Sequence, residues 1–268
     1  MNATVKPGKK HFPVLLNEIV SIISPLYSGT FIDCTFGQGE YTKEILKNPK
    51  NKVIAIDRDN KTIDIAKNIK EKFKDRFSFK NIRFSEINNI DVNKKDIKGI
   101  IFDLGYSTNQ IKDPEKGLSF NSTGKLNMQM GLNDFSAHQV INNLDQQHLE
   151  KIFKYFGEEK YSRVISRKIC QIRKEKNIKT EDLVDLINKI KLNKNFKIHK
   201  ATKTFQALRI FVNKEISELI NGLIQASKFL KKGGKLIIIS FHSLEDKNSH
   251  QNQKPDVPQL LLLQQARP

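Results

Sequence analysis

The chain has 268 residues, and its 47 Lys+Arg against 29 Asp+Glu leave a formal charge of +18. A hydrophobic fraction of 38% is enough to fill a globular core, and a balance this basic attracts a polyanion through counterion release and long-range steering. No apolar run approaches the roughly 20 residues that span a bilayer, and Cys34 and Cys170 give neither a disulfide framework nor a zinc-binding spacing. These features predict a reduced, cytoplasmic protein with no membrane anchor and no metal. Only eight of the basic residues are Arg, so a compositional origin of the charge competes with nucleic-acid binding.

Short apolar runs alternate with amphipathic stretches, the pattern of parallel strands joined by helices. Residues 30–35, 52–56, 82–85, 99–104 and 235–241 read as five strands of a Rossmann-like α/β sheet. Helical spacing fills 41–47, 60–73 and 214–230, and Gly233-Gly234 turns the chain back to the last strand. Between the fourth and fifth strands the chain is helical in character over 137–143, 146–156, 161–175 and 180–190. That stretch is too long for a loop. It reads as an all-helical subdomain, 108–204, inserted into a core made of 1–107 and 205–246 and sitting at the carboxyl edge of the sheet, where open α/β folds bind ligands. The stripe of Leu149, Ile152, Phe153 and Phe156 reads as core packing. The tail 247–268 is rich in Gln, Asn and Pro, and its short leucine run predicts no strand and little order.

The clearest chemical signal is Asp33-Cys34-Thr35-Phe36-Gly37-Gln38-Gly39-Glu40-Tyr41-Thr42, a strand end with two glycines running straight into a helix. Glycines there let the backbone approach a ligand. The next strand ends in Ala55-Ile56-Asp57, a carboxylate suited to the two hydroxyls of a ribose. A dinucleotide fingerprint needs a third glycine where Thr42 stands, which speaks against a nicotinamide dehydrogenase and for an adenosyl ligand without phosphates. A purely structural strand-to-helix turn is the competing reading. The fourth strand ends in Ile101-Phe102-Asp103-Leu104-Gly105-Tyr106-Ser107-Thr108-Asn109-Gln110, an acid followed by hydrogen-bonding side chains. Asp103 is the candidate catalytic acceptor, with a role as cofactor ligand equally open. His11 and His242 are candidates for substrate contacts, against the commoner structural histidine.

With these motifs in order, residues 11 to 246 resemble the bacterial small-subunit ribosomal RNA cytosine-N4 methyltransferase family. The resemblance rests on His11 to Glu18, Asp33 to Thr42, Asp103 to Ser107 with Gln110, Lys116 to Phe120, Tyr155 to Glu159, Thr204 to Ile210 and Ser240 to Asp246. It implies a class I methyltransferase core using S-adenosyl-L-methionine, held by Gly39, Glu40 and Tyr41, by Asp57 on the ribose, by Phe84 beside the adenine, and by Asp103 and Gln110 near the methionine end. It also implies transfer to a cytosine amine in the decoding region of small-subunit ribosomal RNA, the partner being that RNA or the small ribosomal subunit. The base must then leave its stack and enter a pocket; by charge and location, Lys116, Arg163, Arg167, Lys168, Arg173 and Lys203 are candidate phosphate contacts, against the commoner solvated helix face for any single one.

The chain departs from the family pattern in three places. Glu40 stands where the family usually has glycine, Asn127 and Gln129 stand where it usually has an acid and an arginine, and no match is expected beyond Asp246. A small-molecule methyltransferase and a non-catalytic RNA-binding or assembly protein therefore stand as competing functions, separable by salt-dependent RNA binding and by cofactor binding.

Overall fold

Runs such as Ile100-Ile101-Phe102 and Leu236-Ile237-Ile238-Ile239 are apolar on both faces, as strands covered by helices on each side must be. A computed structural model describes residues 15–26, 28–105, 110–111, 113–120, 122, 125–192 and 198–240, and the path of 260–264. The strands β1 (Thr30–Asp33), β2 (Lys52–Ile56), β3 (Phe77–Lys80), β4 (Ile97–Asp103), β5 (Lys235–Ser240) and β6 (Leu260–Gln264) form one parallel sheet in the order β3-β2-β1-β4-β5-β6. This is a doubly wound, Rossmann-like arrangement that reverses direction between β1 and β4, and such a switch point opens a crevice at the carboxyl ends of the strands.

Two of the expected sheet features are corrected. The third strand lies at Phe77–Lys80 rather than 82–85, because Phe77 is buried and Phe79 packs on Phe36, while Phe84 opens a 3-10 turn over Phe84–Asn89. The tail also contains a strand. Leu260 to Gln264 pairs in parallel with Leu236 to Ser240, so the sheet extends one strand beyond β5. Its four-leucine run lacks the period-two alternation that marks a half-buried strand, and a run this short does not distinguish strand from helix by pattern alone.

Helices α1 (Leu16–Ile23), α2 (Glu40–Ile45) and α3 (Ile63–Phe73) cover one sheet face, with Ile19, Ile23, Tyr41, Ile45, Ala66 and Ile69 packed on Phe31, Val53 and Ile237. The other face receives the long α9 (Glu215–Phe229), whose Leu219, Leu223 and Ala226 meet Ile100, Phe102 and Ile238. Between β4 and α9 come α4 (Ala137–Asn143), α5 (Gln146–Gly157), α6 (Ser162–Ile172), α7 (Thr180–Ile190) and α8 (Thr202–Val212). Periodicity alone assigns neither α1 nor α8, although Thr204 to Ile210 stands out as a motif.

Local chemistry starts and stops these helices. Ser136 and Gln139 form a reciprocal capping box at α4. The Asp145 carboxylate accepts the His148 N–H at the start of α5, which ends where Glu158 turns left-handed at φ 49°. The inserted helices share a separate apolar cluster, from Leu126 through Leu149, Phe153, Ile165 and Leu183 to Phe205, Leu208 and Val212. One buried ion pair ties it together: Lys191 Nζ lies 2.7 Å from Glu159 Oε2 and also donates to the Lys200 carbonyl, and Glu159 accepts from the Tyr161 N–H and the Thr204 hydroxyl. Among the described residues, no helix is long and apolar enough to cross a membrane.

Candidate active site

The switch point brings β1, β2 and β4 together so that Asp33, Asp57 and Asp103 crowd one crevice. Gly39 turns the chain from β1 into α2 at φ 71°, and a Cβ there would come within 2.7 Å of Ile69 and Phe36, so only glycine makes the turn. That turn places Tyr41 and Thr42 over the strand ends. The Thr42 hydroxyl donates to Asp33 Oδ2 at 2.7 Å, and the Tyr41 hydroxyl bonds the Asp103 carboxylate. Thr42, which the sequence shows only as an absent glycine, is thus the partner of a fully buried acid. Asp103 itself is fixed at its main chain, where its N–H donates to Thr35 Oγ1 at 2.7 Å. Its buried Oδ1 has no hydrogen-bond partner among the described residues.

Burial disfavours negative charge on all three acids. Desolvation raises Asp33 to about 6 against the pull of the Thr42 hydroxyl, raises Asp57 to about 6 against the Asp59 and Gly37 amides, and raises Asp103 to about 7 against Tyr41. Burial and the Asp103 charge push the Tyr41 phenol well above its ordinary value, so it stays a donor. An anionic ligand has no place beside such a cluster. A ligand carrying an ammonium and a sulfonium restores the charge balance that burial removed, and the orphaned Asp103 oxygen offers it, or a substrate amine beside it, an acceptor. The residues present therefore fit S-adenosylmethionine.

Asp57 is fixed by three hydrogen bonds. Its Oδ2 takes the Gly37 N–H at 2.7 Å, its Oδ1 takes the Asp59 N–H at 2.8 Å, and the Asn81 amide donates to its carbonyl. A carboxylate has about four lone-pair positions, so two remain for hydroxyls. Phe84 stands edge-on to Phe102, with ring centroids 5.3 Å apart, and rests on α9 where Gly222 leaves room for its ring. Gln110 donates to Asp59 Oδ2 at 2.9 Å, which anchors it to the β2 end of the crevice. The side chain of Glu40 is 42% exposed and pairs with Lys43 at 2.8 Å, so it is turned toward solvent. Asn127, one of the departures from the family pattern, donates to the Glu115 carbonyl at 3.3 Å.

The candidate phosphate contacts divide. Lys116 is corrected: it is buried against Asp59, 2.9 Å from Oδ2, and is spent inside the protein. Arg173 is half-buried and donates to the carbonyls of Ile141 and Leu144 at the end of α4, and Lys203 donates to the Glu158 carbonyl. Arg163, Arg167 and Lys168 are exposed on α6, the first two one helical turn apart. Of the remaining motif residues, His11, Pro13, Tyr106 to Asn109 and His242 lie outside the described residues. Sequence reasoning missed Asp33 as a member of the acidic cluster, Thr42 as its partner, and the two arginines that flank the crevice, Arg58 and Arg83. The only signal for the arginines was adjacency to Asp57 and Phe84.

Comparison with known proteins follows the same lines. The model for the MraW methylase family matches residues 8–266, a span that includes β6. Ribosomal RNA small subunit methyltransferase H of Rickettsia bellii (strain OSU 85-389) is 40% identical over 238 residues, covering 88% of this chain and 78% of the relative. The protein of the same name from Ehrlichia ruminantium (strain Gardel) is 40% identical over 245 residues, covering 88% and 81%. That from Azorhizobium caulinodans is 38% identical over 254 residues, covering 92% and 73%.

Proposed function

The chain belongs to the MraW methylase family, and from that premise we propose that it transfers a methyl group from S-adenosylmethionine to the exocyclic N4 amine of a cytidine in small-subunit ribosomal RNA. The relatives' shared name, ribosomal RNA small subunit methyltransferase H, supplies the methyltransferase activity and the RNA class. The observation that carries the chemistry is the pairing of a cation-suited acidic crevice with a buried Asp103 Oδ1 that has no hydrogen-bond partner among the described residues.

In this reading Asp57 holds the ribose hydroxyls, Phe84 flanks the adenine, and Gly39, Glu40 and Tyr41 line the turn beside the cofactor. S-adenosylmethionine, when bound, supplies an electrophilic methyl group. Asp103, steadied by Tyr41 and by its own N–H on Thr35, presents Oδ1 to the amine and takes a hydrogen bond from it, so the nitrogen lone pair is turned toward the methyl group, and the same carboxylate takes the proton the nitrogen gives up as it gains that group. Positioning of that kind, rather than strong general-base chemistry, accounts for most of the rate gain. Gln110 fixes the β2 end of the crevice through Asp59. The inserted helices, with Arg163, Arg167 and Lys168 exposed on α6, hold the RNA around a base drawn out of its stack. In this reading the site of action is the cytoplasm.

The test is transfer of labelled methyl groups from S-adenosylmethionine to small-subunit RNA, followed by digestion to nucleosides. The reading predicts label in N4-methylcytidine. Cofactor binding without label in RNA refutes the substrate, and label in another nucleoside refutes the acceptor atom.

A further inference from the structure

Two arginines outside the acidic crevice flank its adenosine end. Arg58 follows Asp57, and Arg83 precedes Phe84. Both side chains reach across to the same turn of the insertion, Gly131-Leu132. Arg58 Nε donates to the Gly131 carbonyl at 2.6 Å and Nη2 to the Leu132 carbonyl at 3.4 Å; Arg83 Nε donates to the Leu132 carbonyl at 3.1 Å, and Arg83 Nη2 bonds the same oxygen. Arg58 Nη1 also donates to the Asn213 carbonyl at 2.8 Å, at the joint between α8 and α9.

The turn they hold has few alternatives. Gly131 sits at φ 119°, and a Cβ there would lie 2.1 Å from the Arg58 carbonyl oxygen. Leu132 is left-handed at φ 49° with an exposed side chain that gains little from it, a conformation that persists only where the surroundings fix it. Buried Asn213 locks the same segment from the other side, accepting from the Met130 N–H and from the Asn133 amide while donating to the Met128 carbonyl. Burial pulls the Arg58 guanidinium below its ordinary value, and the charges of Glu218, Glu215 and Asp57 oppose that pull.

We propose that Arg58 and Arg83 are positioning residues that couple occupation of the adenosine end of the site to the docking of the helical insertion. The proposal rests on the reading of Asp57 and Phe84 as adenosine contacts. A ligand that fixes Asp57 and Phe84 also fixes their neighbouring arginines, and through four hydrogen bonds to one strained turn it fixes the entry to the inserted helices. By linkage, RNA held by those helices tightens the cofactor by the same factor.

The experiment is amide hydrogen exchange of the full chain with and without S-adenosylhomocysteine, alongside calorimetric titration of the same ligand. In the wild type the ligand is expected to slow exchange at Met130, Gly131 and Asn133 by at least about fivefold, at the low end of ordinary coupling. In Arg58→Lys and Arg83→Gln the ligand still binds, weakened by no more than about tenfold, roughly 1.4 kcal/mol, as reciprocal linkage allows, and the slowing at those amides is lost. Slowing that survives in both variants, or its absence in a wild type that binds the ligand, overturns the coupling. A wild type that does not bind the ligand overturns the cofactor reading, and the coupling with it. The readout needs no RNA, so failure of the RNA substrate and failure of the coupling are separable.

Discussion

Asp33 and Asp103 end neighbouring parallel strands, and each meets a hydroxyl from the same helix, Thr42 for Asp33 and Tyr41 for Asp103. Two adjacent residues of α2 therefore discipline two buried acids, and the first consequence concerns stability. Thr42→Val leaves Asp33 Oδ2 buried without its hydroxyl partner and is expected to cost about 1–3 kcal/mol, read by urea denaturation. Thr42→Ser, which keeps a donor, recovers most of the loss. A valine variant as stable as wild type contradicts the role given to this pair.

The acidic crevice also sets a pH dependence. The folded values of about 6 for Asp33 and Asp57 and about 7 for Asp103 lie above the ordinary aspartate value of 3.8. For such groups the folded state holds more protons than the unfolded state, so their contribution to stability is complete below about pH 4 and is lost as pH rises through 6 to 7. Binding of a cationic cofactor runs the other way, because it favours the ionised carboxylates. Affinity for S-adenosylmethionine is expected to rise between about pH 5 and 7 and then level, measured by calorimetry in matched buffers, and Asp103→Asn flattens the upper part of the rise. Affinity independent of pH in the wild type contradicts the electrostatic account.

Asp57→Ala removes the proposed ribose acceptor and strands the amides of Gly37 and Asp59. It is expected to weaken cofactor binding by about 1.5–3 kcal/mol, the usual size for bonds to a charged group.

Asp103→Ala is expected to depress turnover with saturating cofactor far more than it lowers the melting temperature, read by methyl transfer and thermal denaturation of the same preparation. Equal damage to folding and turnover removes Asp103 from the chemistry.

Much of the sheet was legible because β1, β2, β4 and β5 are apolar runs closed by glycine turns or acids, and period and punctuation agree there. The third strand was not, since Phe77 and Phe79 alternate with polar residues inside a lysine-rich stretch, while the Ile82-Arg83-Phe84 sequence reads as a strand and leads into a 3-10 turn. The sixth strand was hidden by its shortness and its polar context. In the site, Asp57 and Asp103 announce themselves by standing at strand ends and Gly39 by opening the helix that follows the first strand. Thr42, Asp59 with Lys116, and the two arginines do not, because their importance lies in contacts between segments distant in the chain, which no local spacing reports.

The insertion gives a prediction about RNA. Arg163→Glu with Arg167→Glu reverses charge at two exposed positions on α6 and is expected to weaken binding of small-subunit RNA. It should also reduce the slope of log affinity against log salt by roughly 1.4 to 1.8, at about 0.7–0.9 for each phosphate no longer neutralised, with cofactor affinity unchanged. Filter binding over a salt series reads both quantities. An unchanged slope moves the RNA interface to another face.

The central claim is that the crevice at the ends of β1, β2 and β4 holds S-adenosylmethionine, and calorimetric titration of the full chain with that cofactor tests it most directly. One site of micromolar affinity is predicted, weakened at least about tenfold in Asp57→Ala, which is the low end of the free energy expected for bonds to a charged group. A folded chain that takes up no cofactor, or one that binds it equally well without the Asp57 carboxylate, contradicts it.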